Sequence, residues 1–177
     1  MTDLTGKRIA IVATDYFEES ELVEPLTQLR DMGAEVIVAA PHDDFIQALR
    51  HVEMGREVPV DTTIDKLDSS KFDAVVIPGG VVNADHLRIE KAAQEFVQDM
   101  ADASKPVAAI CHGAWLLVSS GLVRGRTLTS YHTLADDIIN AGGKWVDQEV
   151  AVDGKFITSR KPDDIPAFVA AIIDALR

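Results

Sequence analysis

The sequence predicts an α/β fold, a doubly wound, mostly parallel sheet sandwiched by helices, and three observations carry that reading. Short runs of β-branched and small apolar residues, such as Ile9-Ala10-Ile11-Val12, have the composition of strands buried on both faces. These runs alternate with segments whose apolar residues recur at helical spacing. No linker, internal repeat or low-complexity tract interrupts the 177 residues, so one domain is expected over 1–177, long enough to enclose a core.

Arg8 to Ala13 reads as the first strand. A helix follows with Leu22, Leu26, Leu29 and Met32 on one face and Gly33 at its C-terminal cap, while Pro25 implies that regular helix begins near it or kinks there. Glu35 to Ala40 is the second strand, which makes the opening a β-α-β unit. Between Pro41 and Leu67 the pattern weakens, and Phe45-Ile46 with Val58-Pro59-Val60 imply a hairpin or surface excursion. Phe72 to Pro78 is the next strand, ended by Gly79-Gly80. Ile89, Ala92, Ala93, Phe96, Val97 and Met100 form a helical stripe closed by Lys105-Pro106. Val107 to Ile110 is a strand that runs directly into Cys111, and Gly113 to Ser120 is a short apolar helix closed by Gly121. Thr127 to Ser130 reads as a further strand, and Leu134, Ile138 and Ile139 as a helix face ended by Gly142-Gly143. Asp153-Gly154 marks a two-residue hairpin between Val150-Ala151-Val152 and Phe156-Ile157-Thr158. A closing helix enters through Pro162 and buries Ile165, Phe168, Val169, Ile172, Ile173 and Leu176.

Composition narrows the function. Hydrophobic residues make up 47% and charged residues 26%, a globular balance. A net charge of -12 repels phosphate backbones and acidic lipid, which argues against nucleic acid and membrane partners. No apolar run approaches the ~20 residues of a membrane span. The single cysteine cannot form an internal disulfide, and Met1 to Lys7 is short and polar, so a cytoplasmic location is expected.

In open parallel sheets ligands bind beyond the carboxyl ends of the strands. Three unusual segments fall there: Thr14 to Glu19, Pro78-Gly79-Gly80 and Cys111-His112-Gly113. A cysteine on a strand-to-helix turn faces unpaired amides and a helix dipole, which would lower its pKa and make it a nucleophile. Gly113 allows the sharp turn, and Gly79 and Gly80 allow backbone N–H groups to meet an oxyanion. His112 adds a backbone N–H and a side chain for proton transfer, although neighbours on a turn usually point apart. Of Glu18 and Glu19, one pointing inward would have a raised pKa and could donate a hydrogen bond to sulfur. Tyr131 and His132 follow a strand end and could overhang the same place. The five histidines form no metal-binding motif, so no metal and no cofactor are expected.

Several segments together resemble one family: AICHG at Ala109 to Gly113, VIPGG at Val76 to Gly80, FEESEL at Phe17 to Leu22, and LVRGR, INAGG, VDQEV, VDG and SRKPDD further on. The chain is similar over its whole length to the PfpI-type intracellular proteases, in the superfamily of the parkinsonism-associated deglycase and the class I glutamine amidotransferase-like proteins. The resemblance implies a flavodoxin-like sandwich with Cys111 as nucleophile, Glu18 as the carboxyl in contact with its sulfur and Glu19 as the fallback. It also implies His112 beside the nucleophile, oxyanion donors at Gly80 and the His112 amide, and a homodimer or an assembly of dimers. In its peptidase members an acidic residue of a neighbouring subunit orients the histidine, and Asp85 matches that residue only after a one-residue shift. His132 stands where several relatives carry proline.

Three functions follow from this resemblance. One is a stress-protective enzyme of the glutathione-independent glyoxalase or deglycase type, acting on small carbonyl compounds or glycated molecules. A second is a cysteine peptidase acting on peptides. The third is a redox-sensing stress protein or holdase working through oxidation of Cys111.

Overall fold

The computed structural model describes residues 3–177; Met1 and Thr2, the start of the polar lead-in, lie outside them. The strands are β1 Arg8–Val12, β2 Phe17–Glu18, β3 Glu35–Ala40, β4 Phe45–Arg50, β5 Glu53–Pro59, β6 Thr62–Thr63, β7 Ala74–Ile77, β8 Val107–Ile110, β9 Thr127–Leu128, β10 Lys144–Trp145, β11 Val150–Asp153 and β12 Phe156–Ser159. The helices are α1 Glu19–Asp31, α2 Val81–Leu87, α3 Lys91–Asp102, α4 Ala114–Ser119, α5 Ala135–Asn140 and α6 Ile165–Ala175.

The main sheet has seven strands in the order β11-β12-β8-β7-β1-β3-β6. All its pairings are parallel except β11 with β12, the antiparallel hairpin at one edge. Alternation along β1 explains the two layers of helices. Ile9 and Ile11 point into a core with Leu22 and Leu29 of α1 and Phe168 and Ile172 of α6. Ala10 and Val12 point the other way, toward Leu87 of α2, Phe96 and Met100 of α3, Leu117 of α4 and Ile138 of α5. The predicted flavodoxin-like sandwich is therefore the observed one. Among the described residues no helix is long and apolar enough to cross a membrane.

Three local features differ from expectation. Helix α1 starts at Glu19 and runs through Pro25. Proline withholds an N–H from the carbonyl of Glu21 but does not end the helix, because Leu22 and Leu29 on either side are buried in the core. Helix α2 carried no apolar stripe in the sequence, since Val81 and Val82 are 54% and 38% exposed. The strand expected at Thr127 to Ser130 shrinks to β9 and pairs with β10 outside the main sheet, because β12 already occupies the edge of β8. The weak region after Pro41 forms the expected hairpin, β4-β5, which β2 joins into a small separate sheet.

Phe168 is fully buried between α6 and the sheet. Phe168→Ala is expected to lower the unfolding free energy by about 3–5 kcal/mol, read as a reduced urea midpoint with an unchanged slope.

Candidate active site

Cys111 leaves β8 with a φ of +61°, in the left-handed region that non-glycine residues rarely occupy. Holding it there costs about 1–2 kcal/mol, offset by the packing around the turn. A single 3-10 turn, Cys111–Gly113, then leads into α4. Gly113 is required at its end, because a Cβ there would stand 2.6 Å from the Ile77 carbonyl oxygen and 2.9 Å from that of Pro78. The Tyr131 amide donates to the Cys111 carbonyl at 3.2 Å and fixes the turn from the far side. The amides of His112 and Gly80 both point at the sulfur.

The carboxyl group beside that sulfur belongs to Glu21, which corrects the expectation of Glu18 or Glu19. Glu18 is still in extended backbone in β2, and its side chain turns outward to accept the His51 amide at 3.0 Å. Glu19 accepts the Arg56 amide at 2.7 Å and pairs with the Arg56 side chain. Glu21 lies on the inward stripe of α1 with Leu22, Pro25 and Leu29, and is fully buried. Its Oε2 accepts the Gly79 N–H at 2.8 Å, and its carboxyl group interacts with the Cys111 thiol. A Cβ on Gly79 would come within 2.5 Å of this oxygen and 2.8 Å of the Cys111 Cβ, so only glycine fits between them. Gly79 thus positions Glu21 rather than an oxyanion. The spacing Glu21, Pro25, Leu29 was the available signal, an acidic residue four and eight positions ahead of core-facing ones.

Burial pushes the Glu21 carboxyl up to about 8. Its Oε1 is buried with no hydrogen-bond partner, which suits a neutral carboxyl far better than an anion. The Cys111 thiol is pushed up as well, first by burial and then by the adjacent Glu21 carboxylate. The lowered pKa expected from the turn is therefore absent in the free protein, because α4 is only six residues long and Cys111 is buried. Glu21 and Cys111 form a pair that resists losing its protons. A protonated Glu21 removes the repulsion and can donate to a sulfur that ionises as it attacks.

His112 Nδ1 lies 3.2 Å from the Cys111 Sγ. Desolvation lowers the His112 pKa, helped by His132, so the ring is neutral and able to accept a proton. It stacks on Tyr131 with centroids 4.8 Å apart, and the His132 ring lies tilted against Tyr131 at 4.5 Å. Asp85 is exposed on α2, and no hydrogen bond or ion pair joins it to His112 within the chain.

Asn83, not singled out from the sequence, binds the strand ends together. It is fully buried, accepts the Thr14 N–H at 2.7 Å, and donates to the Pro78 and Gly79 carbonyls at 3.2 and 2.9 Å. A cleft of about 400 Å³ opens over Cys111 and His112, lined by Glu18, Glu21, His51, Gly80, Val81, Tyr131, Lys161, Pro162 and Asp163. Among the described residues no group of three or more histidine, cysteine or acidic side chains is placed to hold a metal.

A doubly wound sheet that presents a cysteine on a strained turn, with a buried carboxyl and a histidine touching its sulfur, defines a class of cysteine-centred α/β proteins. Within that class the chain belongs to the DJ-1/PfpI family, whose profile matches residues 7–175. It is 38% identical over 170 residues to "Deglycase PfpI" of Pyrococcus furiosus, covering 96% of this chain and 99% of the relative. It is 40% identical over 164 residues to "Protein/nucleic acid deglycase 2" of Escherichia coli, covering 92% and 94%. To "Putative cysteine protease YraA" of Bacillus subtilis it is 36% identical over 174 residues, covering 97% and 99%. Among solved structures, Drosophila melanogaster DJ-1beta superposes with a TM-score of 0.88 at 28% identity, over 96% of this chain and 90% of that one.

The raised Glu21 pKa has a signed consequence for stability. The folded protein holds this proton more tightly than the unfolded chain, so its contribution is fully present below pH 4.5 and is lost as pH rises through about 8. At roughly 1.4 kcal/mol per pH unit, the loss approaches about 5 kcal/mol. Glu21→Gln removes this titration, so its stability measured in urea should gain on the wild type by several kcal/mol between pH 5 and pH 9. Parallel curves for the two proteins would show that Glu21 ionises normally.

Proposed function

We propose that the chain is a cysteine-dependent enzyme for reactive carbonyls, of the glyoxalase or deglycase type. The single observation that carries this reading is the Glu21 carboxyl held against the Cys111 thiol, with the neutral His112 Nδ1 3.2 Å from the same sulfur. Addition of a thiol to an aldehyde needs a proton removed from sulfur and a proton given to oxygen, and this pair of groups supplies both. Two relatives named deglycases, matched over nearly their full lengths, support the same reading.

With a 2-oxoaldehyde, Cys111 adds through sulfur to the aldehyde carbon and gives a hemithioacetal. The hydrogen on that carbon leaves as a proton to His112 or Glu21, and a proton returns to the neighbouring carbon. The aldehyde carbon is thereby oxidised to a thioester and the ketone carbon reduced to an alcohol. Water then cleaves the thioester, releasing a 2-hydroxy acid and the free thiol. The Gly80 and His112 amides stabilise the oxyanion of the addition steps. A glycated amine in its hemiaminal form enters by exchange: the bond from Cys111 sulfur to that carbon forms as the carbon–nitrogen bond breaks, His112 passes the thiol proton to the departing amine, and the resulting hemithioacetal goes on as above.

A peptidase reading draws on the relative named a putative cysteine protease. It requires a carboxylate to orient His112, and within one chain Asp85 does not do so; a neighbouring subunit of a homo-oligomer would have to supply it.

The test is methylglyoxal consumption with lactate appearance. The wild type should form lactate catalytically, and Cys111→Ser and Glu21→Gln should each lower kcat/KM by at least about a hundredfold. Absence of lactate from the wild type, with cleavage of peptide substrates that depends on Cys111 and Asp85, would replace this reading with the peptidase one.

A further inference from the structure

We propose that Lys161 makes the cleft selective for dicarbonyl substrates that carry a carboxylate, by receiving that carboxylate while the aldehyde sits over Cys111. The inference rests on the carbonyl reading above and names its substrate class.

The order of the strands divides the cleft. β8, which delivers Cys111, lies between β7 and β12. On the β7 side the chain supplies Gly79 and Gly80, with Glu21 and Glu18 next to them. On the β12 side Ser159 is abreast of Ile110, so Arg160 and Lys161 leave the sheet alongside Cys111 and His112. The chain segments that carry Gly79 and Lys161 therefore leave the sheet from strands on opposite sides of β8, and Glu21, Cys111 and Lys161 line one cleft. The cleft they share, about 400 Å³, is large enough to hold a five-carbon dicarbonyl acid.

Lys161 is the single lysine or arginine among the residues lining the cleft. Its neighbour Arg160 is fully engaged, with Nε and Nη2 on Asp164 at 2.8 and 3.0 Å and Nη1 on Asp147 at 2.9 Å. Lys161 has one ionic contact, to Asp163 at 3.3 Å, with the two side chains 45% and 81% exposed. Such a surface pair contributes at most about 1 kcal/mol, so a substrate carboxylate arriving in a partly desolvated cleft displaces Asp163 readily. The protein carries a net charge of -12 and so repels anions in bulk. An anionic substrate needs a local cation, and Lys161 provides it within the cleft.

The experiment compares 4,5-dioxopentanoate with its uncharged methyl ester. Wild type should favour the acid by about tenfold in kcat/KM, mostly through KM. Lys161→Met should abolish that preference, kcat/KM for the acid falling about tenfold further than that for the ester, while Lys161→Arg should retain it. Protection of Cys111 from iodoacetamide gives the same comparison without turnover, the acid protecting the wild type at about tenfold lower concentration than the ester. Equal handling of acid and ester by the wild type overturns the proposal, as does an equal loss for both in Lys161→Met. If neither compound is turned over, the carbonyl reading fails, and the protection ratio still decides whether Lys161 recognises a carboxylate.

Discussion

The site depends on one interaction, the Glu21 carboxyl buried between the Gly79 amide and the Cys111 thiol. It joins a helix, a strand end and the nucleophile turn, which come from three distant parts of the chain. A charged carboxylate in that position would be costly, and the environment answers by keeping the proton on. The same choice keeps the resting thiol protonated, so in the proposed reaction the nucleophile forms as it attacks. Gly79 is a glycine because any side chain would collide with both partners of the contact. The strain at Cys111 is tolerated because Gly113 and the Tyr131 amide hold the turn on either side.

The strands closing this frame were legible because a strand buried on both faces has a distinctive composition: Ile9 to Val12, Val75 to Ile77 and Val107 to Ile110 are apolar throughout. Cys111, His112 and Gly113 were legible for a related reason, since they stand where such a strand stops. Glu21 was not. An acidic residue in the first turn of a helix ordinarily faces water, and its inward position emerges only when the stripe of Leu29 and Pro25 is extended backward. Asn83 was hidden because its partners are main-chain atoms of Thr14, Pro78 and Gly79, which leave no mark on side-chain pattern. Lys161 escaped notice because its place beside the sulfur comes from the register of β12 against β8.

The expectation of a lowered thiol pKa failed through a competition of magnitudes. A helix dipole of a few turns favours a neighbouring anion by about 0.3–1 kcal/mol, whereas burial of the thiol next to a carboxyl group acts in the opposite sense and is larger. Amides of Gly80 and His112 oppose that effect without reversing it.

Glu18, displaced from the role first assigned to it, anchors the tip of the β4-β5 hairpin through the His51 amide, and Glu19 anchors the same hairpin through Arg56. Two consecutive residues thus hold the rim of the cleft, while Glu21, two positions further along, reaches its floor. Insertions or deletions in the hairpin would be felt in the first turn of α1, where chemistry is set. Divergence in substrate size is consequently easier by changing the Lys161 side chain, whose ionic contact is the exposed Asp163, than by remodelling the hairpin.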